Sequence, residues 1–179
     1  MGGEYFSARA MEPATKRFIA AAIIQGAGIV AFTIALIIGQ ATFMKPEVSR
    51  VIAAGGAGTW FTFGYIIYIV VGVVGVAVSA LFYHLLANKN ETIISKAFSW
   101  IHLALMNVGT TVGAGLMMYA GYMGGAAALP EGVGGQGLGA GEVHELIGQF
   151  VEPIAAAILV LCAGVVVGGI GFFLTYRRK

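Results

Sequence analysis

The stretch TWFTFGYIIYIVVGVVGVAVSALFYHLL, residues 59–86, contains no Asp, Glu, Lys or Arg. A helix needs about 20 apolar residues to cross roughly 30 Å of hydrocarbon, and this run is longer than that. Strands of a membrane barrel alternate apolar and polar residues over short segments, whereas here the apolar residues are contiguous. The stretch therefore reads as a membrane helix. It begins near Trp60 and ends on a histidine, His84, and the chemistry of that histidine is the first functional question.

Three further runs have the same character: Lys16–Gln40, Ala97–Tyr122 and Val143–Tyr176. With Thr59–Leu86 they predict an all-α integral membrane protein, a four-transmembrane-helix bundle spanning 16–179 behind an N-terminal interfacial arm at 1–15. The composition fits that solvent. Hydrophobic residues make up 59% of the 179 positions and charged residues 10%, with mean hydropathy +0.89, too little polar surface to coat a water-soluble core.

Charge placement orients the bundle. Of the 10 basic residues, Arg9, Lys16 and Arg17 precede the first run, Lys89 and Lys96 separate the second from the third, and Arg177, Arg178 and Lys179 follow the fourth. Only Lys45 and Arg50 fall in the loop after the first run. The positive-inside rule then expects both termini in the cytoplasm, and the protein is expected to be multi-pass in the plasma membrane. An even number of spans requires the termini to share a side, so count and charge agree. The first run is too long for the apolar part of a cleaved signal, so it is expected to stay as a span. Basic tails beside a bilayer are ordinary orientation signals, and no nucleic-acid partner is implied.

Between the spans, the turn at 87–96 is short and predicts an antiparallel hairpin. The segment MGGAAALPEGVGGQGLGAGE, 123–142, is expected to hold no regular structure alone because of its glycines. It lacks Lys and Arg, which excludes a phosphate loop. Gly109 and Gly113 in the third span, and Gly164 and Gly168 in the fourth, have the small-xxx-small spacing that lets membrane helices approach closely. The lone Cys162 is expected inside the bundle as a small hydrophobe.

Chemistry is sparse. Aspartate is absent and the acids are 8 glutamates; no nucleophile–His–acid order or cysteine pair suggests hydrolysis or a metal site. His84 and His102 close one helix and open the next, at comparable depth. Two opposed imidazoles in such a hairpin are able to ligate a haem b iron, although beside Tyr83 and Trp100 they also read as boundary residues. In GEVHELIGQFVEP, Glu145, Gln149 and Glu152 stand at i, i+4 and i+7 on one face after His144. A carboxylate two turns inside a span is costly, so this face is expected to form a proton or polar path or a buried hydrogen bond, with Glu152 its deepest member. Pro153 beside it frees a backbone carbonyl one turn earlier. Gln25, Asn107, Thr110 and Thr111 are expected to make interhelical hydrogen bonds.

Taken in order, TWFTFGY, SALFYHLL, SKAFSWIHLALMNVG and VHELIGQFVEPIAAAILVLCAGVVVGGIGFFLTYRRK resemble the C-terminal four helices of haem-copper oxidase subunit I, in its ba3-type branch. The resemblance extends over roughly residues 20–179. In that family a Trp is followed after a short gap by G-H-x-H, whose two histidines hold the haems. Here Gly64 is followed by Tyr65 and Ile67 at those positions, and neither side chain replaces imidazole. The resemblance thus implies a relative without the redox centre, predicted to carry no cofactor. The expected function is a non-catalytic accessory subunit of a respiratory haem-copper oxidase or a similar membrane oxidoreductase. Its partners would be the lipid bilayer and other membrane subunits. Two alternatives stand beside it: a small b-type cytochrome using His84 and His102, and a homo-oligomeric channel or transporter lined by Glu145, Gln149 and Glu152.

Overall fold

The structure, a computed structural model, describes residues 12–90 and 95–177. Four rods in it are long and apolar enough to cross a membrane. The first is α1, Pro13–Thr42. Its start is well specified: Pro13 sits where a helix has a spare N–H to lose, and the Glu12 side chain accepts from Thr15 N at 3.0 Å. The expected arm therefore ends before residue 13; its residues 1–11 lie outside the described part. A short helix, α2 (Val48–Ala53), follows in the first loop.

The second rod is continuous but not uniform. It runs through α3 (Thr59–Ile67), a π-helical segment (Tyr68–Gly75) and α4 (Val76–Asn90). The third is α5, Lys96–Ala128, two turns longer than the sequence suggests. Gly124 and Gly125 do not break it because their missing Cβ atoms are what the packing requires. A Cβ on Gly125 would lie 2.9 Å from Gly58 Cα, and one on Gly124 would lie 2.6 Å from Ile147 Cγ2. Neighbouring backbone and side chains hold the glycines helical where propensity alone would not.

The expected fourth span, Val143–Tyr176, is two helices: α6 (Ala140–Gly148) and α7 (Val151–Arg177). Pro153 explains the break. In a continuous helix its ring would clash with the carbonyl of Gln149, whereas in the first turn of α7 its missing N–H costs nothing. Val143 and Ile147 are buried on one face of α6, while Glu142, His144 and Glu145 are exposed on the other. That pattern suits a helix lying in the membrane interface.

Helix α5 is the central element, packed along α7 and also against α3 and α6, while α1 packs mainly on α4. The α5–α7 seam is close because glycines face it from both sides. A Cβ on Gly109 would meet Leu161 N at 2.5 Å, and one on Gly164 would meet Met106 N at 2.9 Å. The starts of α1 and α5 and the ends of α4 and α7 share one end of the bundle, as the contacts Arg17–Ser99 and Tyr83–Phe172 require. The outer faces carry large exposed apolar residues, among them Ile24, Phe63, Leu159 and Phe173. Cys162, expected inside, is exposed on the outer face of α7.

Candidate functional site

His102, one turn and a half into α5, is the buried imidazole of the bundle, 2% exposed. Its imidazole is held from all sides. Tyr83 of α4 places its hydroxyl 3.1 Å from Nδ1, and Met106, one turn along α5, places Sδ 2.9 Å from Nε2. A thioether accepts but cannot donate, so in the neutral ring Nε2 carries the hydrogen and Nδ1 accepts from the tyrosine. Phe18 of α1 lies 4.9 Å from the ring centroid and Phe172 of α7 5.6 Å. Gly168 forms the floor, since any Cβ there would run into the imidazole. Four helices thus converge on one ring.

A second polar layer lies deeper along the bundle. Gln25 of α1 donates through Nε2 to Asn107 Oδ1 of α5, and Asn107 donates through Nδ2 to Leu103 O at 2.7 Å. The π-helical segment brings Gly72 against Gln25 Oε1 and Thr110. Its wider turn presents a residue without a side chain where two polar side chains already fill the space, a use typical of π segments. Thr110 is 1% exposed, and its Oγ1 has no hydrogen-bond partner. Thr111 faces outward.

Tyr65, at one of the two positions that the resemblance assigns to haem ligands, lies 2.7 Å through its hydroxyl from Thr33 Oγ1 of α1. Thr33 in turn donates to Ile29 O at 2.7 Å. Ile67, the other position, is half-buried. Polar pairs therefore recur along the bundle: Arg17–Ser99, Tyr83–His102, Gln25–Asn107 and Thr33–Tyr65. Each joins two different helices, and three of them clasp α1. Such bonds contribute about 0.6 kcal/mol each on average in membrane bundles, so packing sets most of the stability and the pairs set register.

The residues singled out in the sequence fall elsewhere. His84 and His102 lie toward the same end, but His84 is exposed while His102 is enclosed with both ring nitrogens engaged. The structure does not bring the two imidazoles together. Glu145, Gln149 and Glu152 do not share a helix face, because the break at 149–150 separates them, and all three are exposed. Gln149 Nε2 donates to Leu146 O at 2.9 Å. Glu152 is in the first turn of α7, not two turns inside a span. Among the described residues no three His, Cys, Asp or Glu side chains are grouped to hold a metal ion.

Tyr83 and Met106 are the site residues that sequence reading passed over. The His102–Met106 spacing of i, i+4 was the available signal, since it puts both side chains on one face. Nothing in the sequence marks Tyr83, which follows from the α4–α5 register alone.

At the opposite end, the first loop carries its own charge cluster. Lys45 and Arg50 both pair with Glu47, the arginine through Nε at 3.0 Å. Hydrogen bonding from Lys45 first, then from backbone and Arg50, lowers the Glu47 carboxyl from 4.5 to about 2. Tyr122 of α5 pins the loop by donating to Pro46 O at 3.0 Å. Two apolar cavities flank Leu36, Val48 and Phe61 beneath this loop, each about 250 Å³.

No family model matches the chain, and no curated protein or solved structure matches it.

Proposed function

We propose that this multi-pass membrane protein is a non-catalytic accessory subunit of a membrane oxidoreductase complex, a respiratory haem-copper oxidase first among them. It sits in the plasma membrane with both termini cytoplasmic, packs beside a catalytic subunit and seals its lipid face. The observation that carries this reading is the use made of Tyr65. At a position where the resemblance expects a haem ligand, a hydroxyl 2.7 Å from Thr33 ties two helices together. Four polar pairs along the spans serve as interhelical ties, as befits a scaffold. The basic residues favour the orientation, eight against two.

The test is isolation of the tagged chain from native membranes in mild detergent. The expected result is co-migration at fixed stoichiometry with a haem-bearing subunit and with oxidase or dehydrogenase activity. A chain that migrates alone overturns the proposal. So does a sharp reduced α-band from the isolated chain that disappears in His84→Ala or His102→Ala, which would identify a b-type cytochrome.

A further inference from the structure

The end of the bundle where α1 and α5 begin carries positive charge that the described residues do not balance. Lys16 and Arg17 lie in the opening turns of α1, and Lys96 opens α5. Arg17 Nη2 donates to Ser99 Oγ at 2.9 Å, and the guanidinium carbon lies 4.5 Å from the centroid of the Trp100 ring. Lys96, Ser99 and Trp100 stand at i, i+3 and i+4, so they share the side of α5 turned to Arg17. Among the described residues the acid at this end is Glu12, whose carboxylate accepts from Thr15 N. The ion pairs among the described residues, Lys45–Glu47 and Arg50–Glu47, belong to the opposite end.

One donor in this group lacks an acceptor. Arg17 Nε is buried and makes no hydrogen bond, and a charged group with one N–H held out of water and unused is costly. The start of α5 adds the same sign: Ser95 makes no side-chain capping bond and the first turn holds no acid. A guanidinium paired with no acid among the described residues suits a carboxylate or a phosphate, and phosphate is the anion that phospholipid headgroups carry at a membrane surface. Trp100 is 49% exposed and its neighbours Phe98 and Ile101 are exposed too. An indole at the interface with apolar side chains beside it suits a headgroup above and acyl chains alongside.

We propose that Arg17, Lys96 and Trp100 form a binding site for the phosphate of an anionic membrane lipid. The guanidinium supplies the directed hydrogen bonds. Lys96 supplies net charge that disfavours a headgroup carrying its own cation, and Trp100 sets the depth. Ser99 positions Arg17 without touching the lipid.

The test uses the purified full chain in detergent micelles with three probes: dioleoylphosphatidylglycerol, dioleoylphosphatidylcholine and inorganic phosphate. Native mass spectrometry reads bound lipid, and melting temperature reads stabilisation. The phosphatidylglycerol is expected to bind at least about fivefold more tightly than the phosphatidylcholine, as one additional basic contact provides. It alone is expected to raise the melting temperature. Arg17→Gln and Lys96→Gln should each reduce that preference. Ser99→Ala should lower the melting temperature without lipid yet keep the preference, which separates lipid loss from misfolding. Equal binding of the two lipids overturns the proposal, as does a preference that survives in Lys96→Gln and Arg17→Gln together. An equal melting shift from inorganic phosphate also overturns it, since the site would then belong to a free anion.

Discussion

His102 acquires its constraints one contact at a time, and each can be removed separately. Gly168 leaves room for the imidazole, so Gly168→Val is expected to cost about 1–3 kcal/mol through overpacking. SDS-driven unfolding of the purified chain measures it, and an unchanged midpoint would mean that the α5–α7 seam is looser than described. Tyr83→Phe keeps the ring and removes the hydroxyl 3.1 Å from Nδ1. A buried nitrogen left without a partner should cost a further measurable amount, about 1–3 kcal/mol. His102→Phe, which removes both the acceptor and the donor, should cost less than the sum of separate losses at Tyr83 and Met106. At the other end Glu47 behaves oppositely, as a part-exposed charge. Its depressed carboxyl, at about 2, contributes to loop order above its ordinary value of 4.5 and loses that contribution as pH falls through about 2. Carboxyl NMR of the chain should show this low midpoint, and Lys45→Ala should move it back toward 4.5. A midpoint unaffected by Lys45→Ala would exclude the lysine as the main cause.

Among elements, the junction of α6 and α7 shows how far the sequence could be read. Four long apolar runs are plain in composition because the bilayer demands length and apolarity, and the four rods lie where those runs are. The break before Pro153 was harder to see. The residues of α6 and α7 form one helical pattern on paper, and proline's effect depends on whether it lies in a helix interior or a first turn. The glycines at 124 and 125 were misleading for the converse reason, since their helical state depends on Gly58 and Ile147, which are distant in sequence. The candidate site was less legible still: His102 was visible as a residue, but its partners come from four helices. The corrected position of Glu152 changes its expected behaviour. As an exposed acid in the first turn of a long helix, it interacts with the helix dipole for about 0.3–1 kcal/mol. Glu152→Gln and Glu152→Leu should therefore have similarly small effects on unfolding and assembly. A far larger loss in the leucine variant would indicate a buried partner group and restore the sequence-based expectation.

For the whole molecule, orientation is the property on which the proposed role and the lipid leaflet both depend. Helix count alone does not fix it, because the same antiparallel bundle fits the membrane either way up. The asymmetry lies in the loops: Lys96 and Arg177 flank the end shared by Arg17 and His102, while Glu131, Glu142 and Glu145 lie on the other side. Translocation of basic segments is disfavoured, and acidic residues contribute little to that choice. The glycine-rich connection between α5 and α6 should thus face outward. A background lacking the native thiol, Cys162→Ser, is suitable because that residue lies on the outer surface of α7. In this background Gln136→Cys, at an exposed position, should react with a membrane-impermeant maleimide on intact cells. Asn90→Cys, at the last residue of α4, should react only after the membrane is opened. The reverse pattern would invert the bundle and place the basic end outside. Labelling of both from outside would break the antiparallel pairing of α4 and α5, on which the Tyr83–His102 contact depends.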